Sequence, residues 1–270
     1  MSAIQLARLK KQASQLADMV DQPEAFVHNL HDILDFYADR THRPGQAGEP
    51  PPLLSHYRVP IPVLRQIESE VVFRLDQGTQ DHLELLDRMW EEPNFEIRLL
   101  AAALLGKSSP SPPEAVTERI HAWASSTAEQ RLLSVLLVQG MERTRKEAID
   151  VFLQQVDKWL TGSTVLSQQI GLRALLPLIT EGNFENIPAI FRLITPFTRE
   201  LPTPLRPDLL DIIKALARRS PKETAYFLRQ NLELPGSTDT AWVIRQSLRQ
   251  FTGETRESLH AALRGKNEFL

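Results

Sequence analysis

From residue 59 onward apolar positions recur at spacings of three and four, in runs joined by short polar or proline-marked breaks. No stretch alternates apolar and polar residues with the period of two that a half-buried strand requires. The pattern predicts helices near 62–77, 80–91, 94–106, 112–125, 128–142, 145–160, 165–180, 186–198, 206–219, 221–232, 239–251 and 255–264. Upstream, Leu6, Leu9, Ala13, Leu16 and Val20 share one face of a first helix, with Lys10, Lys11 and Asp18 between them. This reads as an amphipathic helix and not as a signal peptide. Pro23 opens a second periodic segment through Phe36 and Tyr37, after which THRPGQAGEPPPLLSH breaks all periodicity and reads as a loop.

The segments repeat. WEEPNFEIRLLAAALLG (from Trp90) and WASSTAEQRLLSVLLVQ (from Trp123) align without a gap at an offset of 33, pairing Glu96 with Glu129, Arg98 with Arg131, and Leu99-Leu100 with Leu132-Leu133. A third copy starts at Trp159, and weaker pairs follow near 186–219 and 221–251. Each unit is a helix ending in an aromatic residue, a short turn, and a very apolar second helix. Units that cannot bury a face alone define an α-solenoid, and the irregular period fits HEAT-like antiparallel helix pairs. The expected fold class is therefore all-α, as a single domain over 1–270, with N-terminal helices in 1–40, the Pro/Gly-rich loop at 41–58 and helical repeats over 59–265.

Composition narrows the chemistry. With 42% hydrophobic and 24% charged residues the chain has the composition of a folded protein. It contains no cysteine, which excludes disulfides, thiolate metal sites, iron–sulfur clusters and a cysteine nucleophile, and makes the cytoplasm the expected location. No uncharged apolar run approaches the ~18 residues of a membrane span, so no membrane partner is expected. Net charge is −3, but residues 1–120 hold 12 Lys+Arg against 18 Asp+Glu, a balance of −6, whereas residues 121–270 hold 19 against 16, a balance of +3.

AAALLGKS, ending at Ser108, is close to a phosphate-loop signature, but Ala101 stands in place of the first glycine and the segment ends a helix instead of starting one after a strand. Gly106 is expected as a helix C-terminal cap with Lys107 complementing the helix dipole, so no nucleotide cofactor is expected. His28, His31, Asp32 and Asp35 share helical spacings, but without a further ligand they read as a surface helix; neither metal nor cofactor is expected.

SHYRVPIPVLRQIESEVVFRL, followed by DRMWEEPNFEIRLLAAALLGK, resembles the HEAT-like DNA alkylation repair proteins, the alkylpurine DNA glycosylases of the AlkD type. The matching positions are Tyr57, Val59, Pro62, Arg65, Trp90, Glu92, Glu96, Arg98, Ala101 and Ala102, and Arg58 stands where that family has glycine. The resemblance is closest over 53–107 and looser over 53–251. It implies a basic concave groove for duplex DNA and release of N3- or N7-alkylated purines, with a carboxylate stabilising developing positive charge near the sugar and tryptophans packing on deoxyribose. It also implies a tryptophan and an aspartate together on the inner helix after the E-x-R/Q helix. Here that helix reads STAEQRLLSVLL and has neither; Glu129 is its only acid, and Trp123 lies six residues earlier.

The candidate DNA-binding residues are Arg98, Arg131, Arg173 and Arg245, which recur in second helices and could track a phosphate backbone. Lys214 and Arg218 belong to a denser basic stretch, and Trp242, Arg245 and Arg249 fall on one helical face. The bland readings are surface ion pairs for the cations and core packing for Trp242. The weak catalytic candidates are Glu129 and Asp239. The expected function is a non-catalytic or diverged binder of duplex DNA. The alternatives are an active alkylpurine DNA glycosylase with a relocated carboxylate, and a protein-binding scaffold; duplex DNA and protein remain the two partner classes.

Overall fold

A computed structural model describes residues 5–40, 54–77, 82–107, 112–234 and 238–267. Most of the loop expected at 41–58, the first two residues of the helix expected at 80–91, and Ser108 of AAALLGKS lie outside the described residues. The described residues are helical with no strand, and the non-helical segment at 54–60 contributes one isolated bridge, Ser55 to Asn94. The chain divides into two compact units, residues 1–152 and 153–270.

In the first unit the helices are α1 (Leu6–Ala17), α2 (Pro23–Phe36), α3 (Ile61–Gln77), α4 (Leu83–Glu91), α5 (Phe95–Leu105), α6 (Pro113–Ser126), α7 (Gln130–Val135) and α8 (Glu142–Glu147). They form two ranks. One runs α1, α3, α5, α7, each packed on the next, and the other contains α2 and α4. Trp90, ending α4, and Trp123 of α6 stack face to face at 4.5 Å with planes 3° apart, both almost fully buried. Trp90 and Trp123 are thus packing residues that join α4 to α6.

α9 (Ile149–Leu160) crosses the boundary between the units. The second unit continues with α10 (Val165–Thr180), α11 (Ile187–Arg199), α12 (Arg206–Arg219), α13 (Pro221–Glu233), α14 (Thr238–Ser247) and α15 (Gly253–Asn267). It is also two-ranked, with α10, α12 and α14 in one rank and α11, α13 and α15 in the other. Phe191 and Phe227 stack at 4.5 Å between α11 and α13, the same device as the tryptophan pair.

The helix starts have local causes. Asn94, Thr164 and Asn186 each accept a hydrogen bond from the backbone N–H three residues on, and prolines open α6 and α13, where a missing N–H costs nothing. The structure departs from the expected boundaries at 128–142 and 145–160. α7 is only six residues long and runs into a π-helical turn, Leu136–Gly140, before α8 begins at Glu142. Packing causes this. A Cβ on Gly106 would lie 1.7 Å from the Gln139 carbonyl oxygen, so the end of α5 touches the π turn backbone to backbone. The buried Arg145 donates to the carbonyl oxygens of Leu137 and Val138 at 3.5 and 3.0 Å, meeting acceptors that the widened turn frees.

Candidate nucleic-acid interface

The best-defined constellation lies at the head of α5. The chain from Leu54 to Pro60 is non-helical, and Ser55 is pinned there: its N–H donates to the Pro93 carbonyl, and its own carbonyl accepts from Phe95 N–H, both at 2.9 Å. Glu96, one residue into α5 and 4% exposed, accepts from the backbone N–H groups of Tyr57 at 3.1 Å and Arg58 at 2.6 Å. Its carboxylate is thereby committed to the chain segment before α3. The glutamate of the E-x-R element is a backbone clamp.

The neighbouring acid is committed as well. Glu92 accepts from Arg88 at 2.5 Å and pairs with His31 Nε2 at 2.9 Å, while His31 Nδ1 meets the Tyr57 hydroxyl at 2.8 Å and Arg88 Nε reaches Glu24 at 2.7 Å. Burial pushes the Glu92 carboxyl up, but the bonds from His31 and Arg88 together hold it below the usual carboxylate range. Burial, helped by the surrounding carboxylates Asp35, Glu96, Asp32 and Glu92, raises the Tyr57 phenol. Of the histidine–aspartate group on α2, His31 is thus taken by this network; His28 and Asp32 form an exposed pair at 3.9 Å, and Asp35 pairs with Arg40 at 2.8 Å.

Consequently Arg98 pairs with no carboxylate among the described residues. Its Nε donates to the Glu92 backbone carbonyl at 2.7 Å and its guanidinium lies 5.5 Å from the centre of the Trp90 ring. Burial lowers its pKa against the opposing field of Glu92. Arg131, at the equivalent place on α7, is exposed and lies 5.2 Å over the ring of Phe95, which also meets the His56 ring at 4.7 Å. Among the described residues neither Arg98 nor Arg131 forms an ion pair. Glu129 is the half-buried N-cap of α7, accepting from Arg131 N–H at a long 3.4 Å.

The second unit treats its cations differently. Arg173 Nε donates to Asp208 at 2.7 Å, with Gln169 on the other carboxylate oxygen at 2.9 Å, and Lys214 pairs with Asp211 at 2.9 Å. Arg218 is exposed and makes no ion pair among the described residues. Trp242 is half-buried, and the guanidinium 4.7 Å from its ring is that of Arg206, not Arg245 or Arg249. Arg245 and Arg249 are exposed, and Arg249 falls on a 3-10 turn after α14 has ended, so the helical face expected to join it to Trp242 and Arg245 is interrupted. Asp239 accepts from Leu201 N–H at 3.0 Å and lies 3.6 Å from Arg206, with its side chain 25% exposed.

Sequence reasoning missed Arg206 and Asp208. A signal for them exists: Arg173 and Arg206 are 33 residues apart and Asp208 and Asp239 are 31 apart, so each first-turn acid meets an arginine of the preceding helix in its rank. No described helix is long and apolar enough to cross a membrane, and no group of three or more metal-ligating side chains gathers among the described residues.

The fold and this site define a protein of stacked helix pairs that holds unneutralised arginines, braced on aromatic rings, at the heads of two successive helices in one rank. A family model described as DNA alkylation repair enzyme matches residues 55–250, and the chain belongs to that family. Neither the search of curated proteins nor that of solved structures returned a match. The matched region starts at Ser55, the residue pinned beside α5, and leaves α1, α2 and α15 outside it.

Proposed function

We propose that the protein binds duplex DNA without cleaving the glycosidic bond, as a diverged relative of the alkylpurine glycosylases. What carries this reading is the pair Arg98 and Arg131, 33 residues apart on packed helices, each held over an aromatic ring and forming no ion pair among the described residues. For the part-buried Arg98, taking charge from water without a counter-ion costs free energy unless an anion completes the site, the exposed Arg131 is open to the same anion, and DNA phosphate is the anion that membership of this family suggests. The non-catalytic part rests on α7, which has no tryptophan–aspartate pair. A cytoplasmic location fits a chain with no cysteine.

The test is duplex binding against salt. Each phosphate contact contributes a slope of about −0.9 in log affinity against log salt, so Arg98→Ala and Arg131→Ala should each flatten the slope by about that amount. A protein that retains no duplex at ~50 mM salt, where backbone contacts are strong, would be a protein-binding scaffold instead. Free-base release from a duplex containing N7-methylguanine tests the chemistry; none is expected.

Asp239 favours a second reading. It is partly exposed, three residues before Trp242, and shares Arg206 with it, so a carboxylate and an aromatic ring stand together on α14. If base release is found, Asp239→Asn should abolish it, with Glu129→Gln as the comparison. Release that survives both substitutions removes these two residues from the chemistry.

A further inference from the structure

Arg58 is the only non-glycine residue among those described with a left-handed backbone, at φ 56°. A side chain there is disfavoured by its Cβ, and glycine is the residue that adopts this conformation freely. The backbone is nevertheless held in place, because Arg58 N–H is bound to the buried Glu96 carboxylate at 2.6 Å and Tyr57 N–H to its other oxygen. The side chain at this constrained position is exposed and makes no ion pair or hydrogen bond among the described residues. Glu96, which holds the Arg58 amide, is followed on α5 by Arg98 over the Trp90 ring, and Phe95 at the start of α5 carries both the exposed His56 and Arg131 of α7 against its ring; the Glu92 carboxylate is taken by Arg88 and His31, and that of Glu96 by the Tyr57 and Arg58 amides.

We infer that Arg58 is a third phosphate contact, so that the head of α5 forms a single anion-binding locus of Arg58, Arg98 and Arg131 on one strand of DNA. This rests on the duplex-binding reading and extends it to a residue whose presence costs the fold. Backbone strain persists where the surroundings hold it and clusters at ligand sites, so replacing Arg58 should separate binding from stability.

The experiment compares the full-length protein with Arg58→Gly, Arg58→Asn and Arg58→Lys, measuring duplex affinity from low to moderate salt and the thermal midpoint of each. Glycine and asparagine both tolerate the left-handed conformation. Both should flatten the salt slope by about 0.9 and weaken binding about tenfold at ~50 mM salt. Their thermal midpoints should be unchanged or higher. Arg58→Lys should restore the slope, since the contact is counted by charge. Wild-type binding with an unaltered slope in Arg58→Gly and Arg58→Asn overturns this inference and leaves the duplex-binding reading standing. Absence of salt-dependent binding in the wild type overturns that reading itself, and the assignment of Arg58 with it.

Discussion

Glu96 shows how much one side chain settles at the residue scale. Its two oxygens hold the Tyr57 and Arg58 amides, fixing the segment before α3 against α5. Glu96→Ala removes both acceptors at a site that is 4% exposed, and unmet buried donors cost about 1–3 kcal/mol. The expected result is a thermal midpoint lower by several degrees, with Glu96→Gln intermediate because one amide loses its acceptor. Glu92 makes a pH prediction. Its folded pKa is depressed, so its contribution is present above the unfolded carboxylate value and is lost as pH falls through the lower folded value. Stability measured by urea unfolding should therefore fall as pH is taken below about 4.5, the ordinary glutamate value, and Glu92→Gln should lose less over the same interval.

At the scale of elements, the end of α5 and the π turn meet backbone to backbone at Gly106. The φ of Gly106 is −77°, a value that any residue adopts, so the glycine is required by proximity and not by its backbone conformation. Gly106→Ala must separate two backbones, and overpacking of this kind costs about 1–3 kcal/mol. A lowered urea midpoint is expected, with the helical circular-dichroism signal retained; an unchanged midpoint would mean that the approach of Gly106 to Gln139 relaxes freely. The Trp90–Trp123 stack works by burial and not by charge. Trp123→Ala should cost about 3–5 kcal/mol, without changing the salt dependence of DNA retention.

On the scale of the whole molecule, charge sets the conditions under which binding is visible. A net charge of −3, with −6 over residues 1–120, leaves little general attraction to a polyanion, so affinity has to come from local contacts. Three phosphate contacts predict a slope of about −2.7, or a loss of about fortyfold between ~50 and ~200 mM salt. Gel-shift titrations at the two salt concentrations measure this directly. A slope near zero would remove phosphate contacts from the account.

Periodicity alone was enough for the all-helical fold, the boundaries of α10 and α12, the helix-ending role of Gly106 and the repeated tryptophans, because these follow from which residues must leave water within one or two turns. The resemblance at Tyr57–Arg65 and Trp90–Ala102 was likewise legible, as was the lack of a tryptophan–aspartate pair on the helix containing Arg131. The broken helix after Val135 was not, since its cause is a backbone approach from Gly106, some thirty residues earlier. Nor could spacing tell one recurrent arginine from another. Arg173 is paired with Asp208, 35 residues away, whereas Arg98 forms no ion pair among the described residues, with Glu92 engaged by Arg88 and His31 and Glu96 by backbone amides. Helix formation is decided by local burial; the fate of a charge is decided by which side chains the packing of distant helices brings within hydrogen-bond reach.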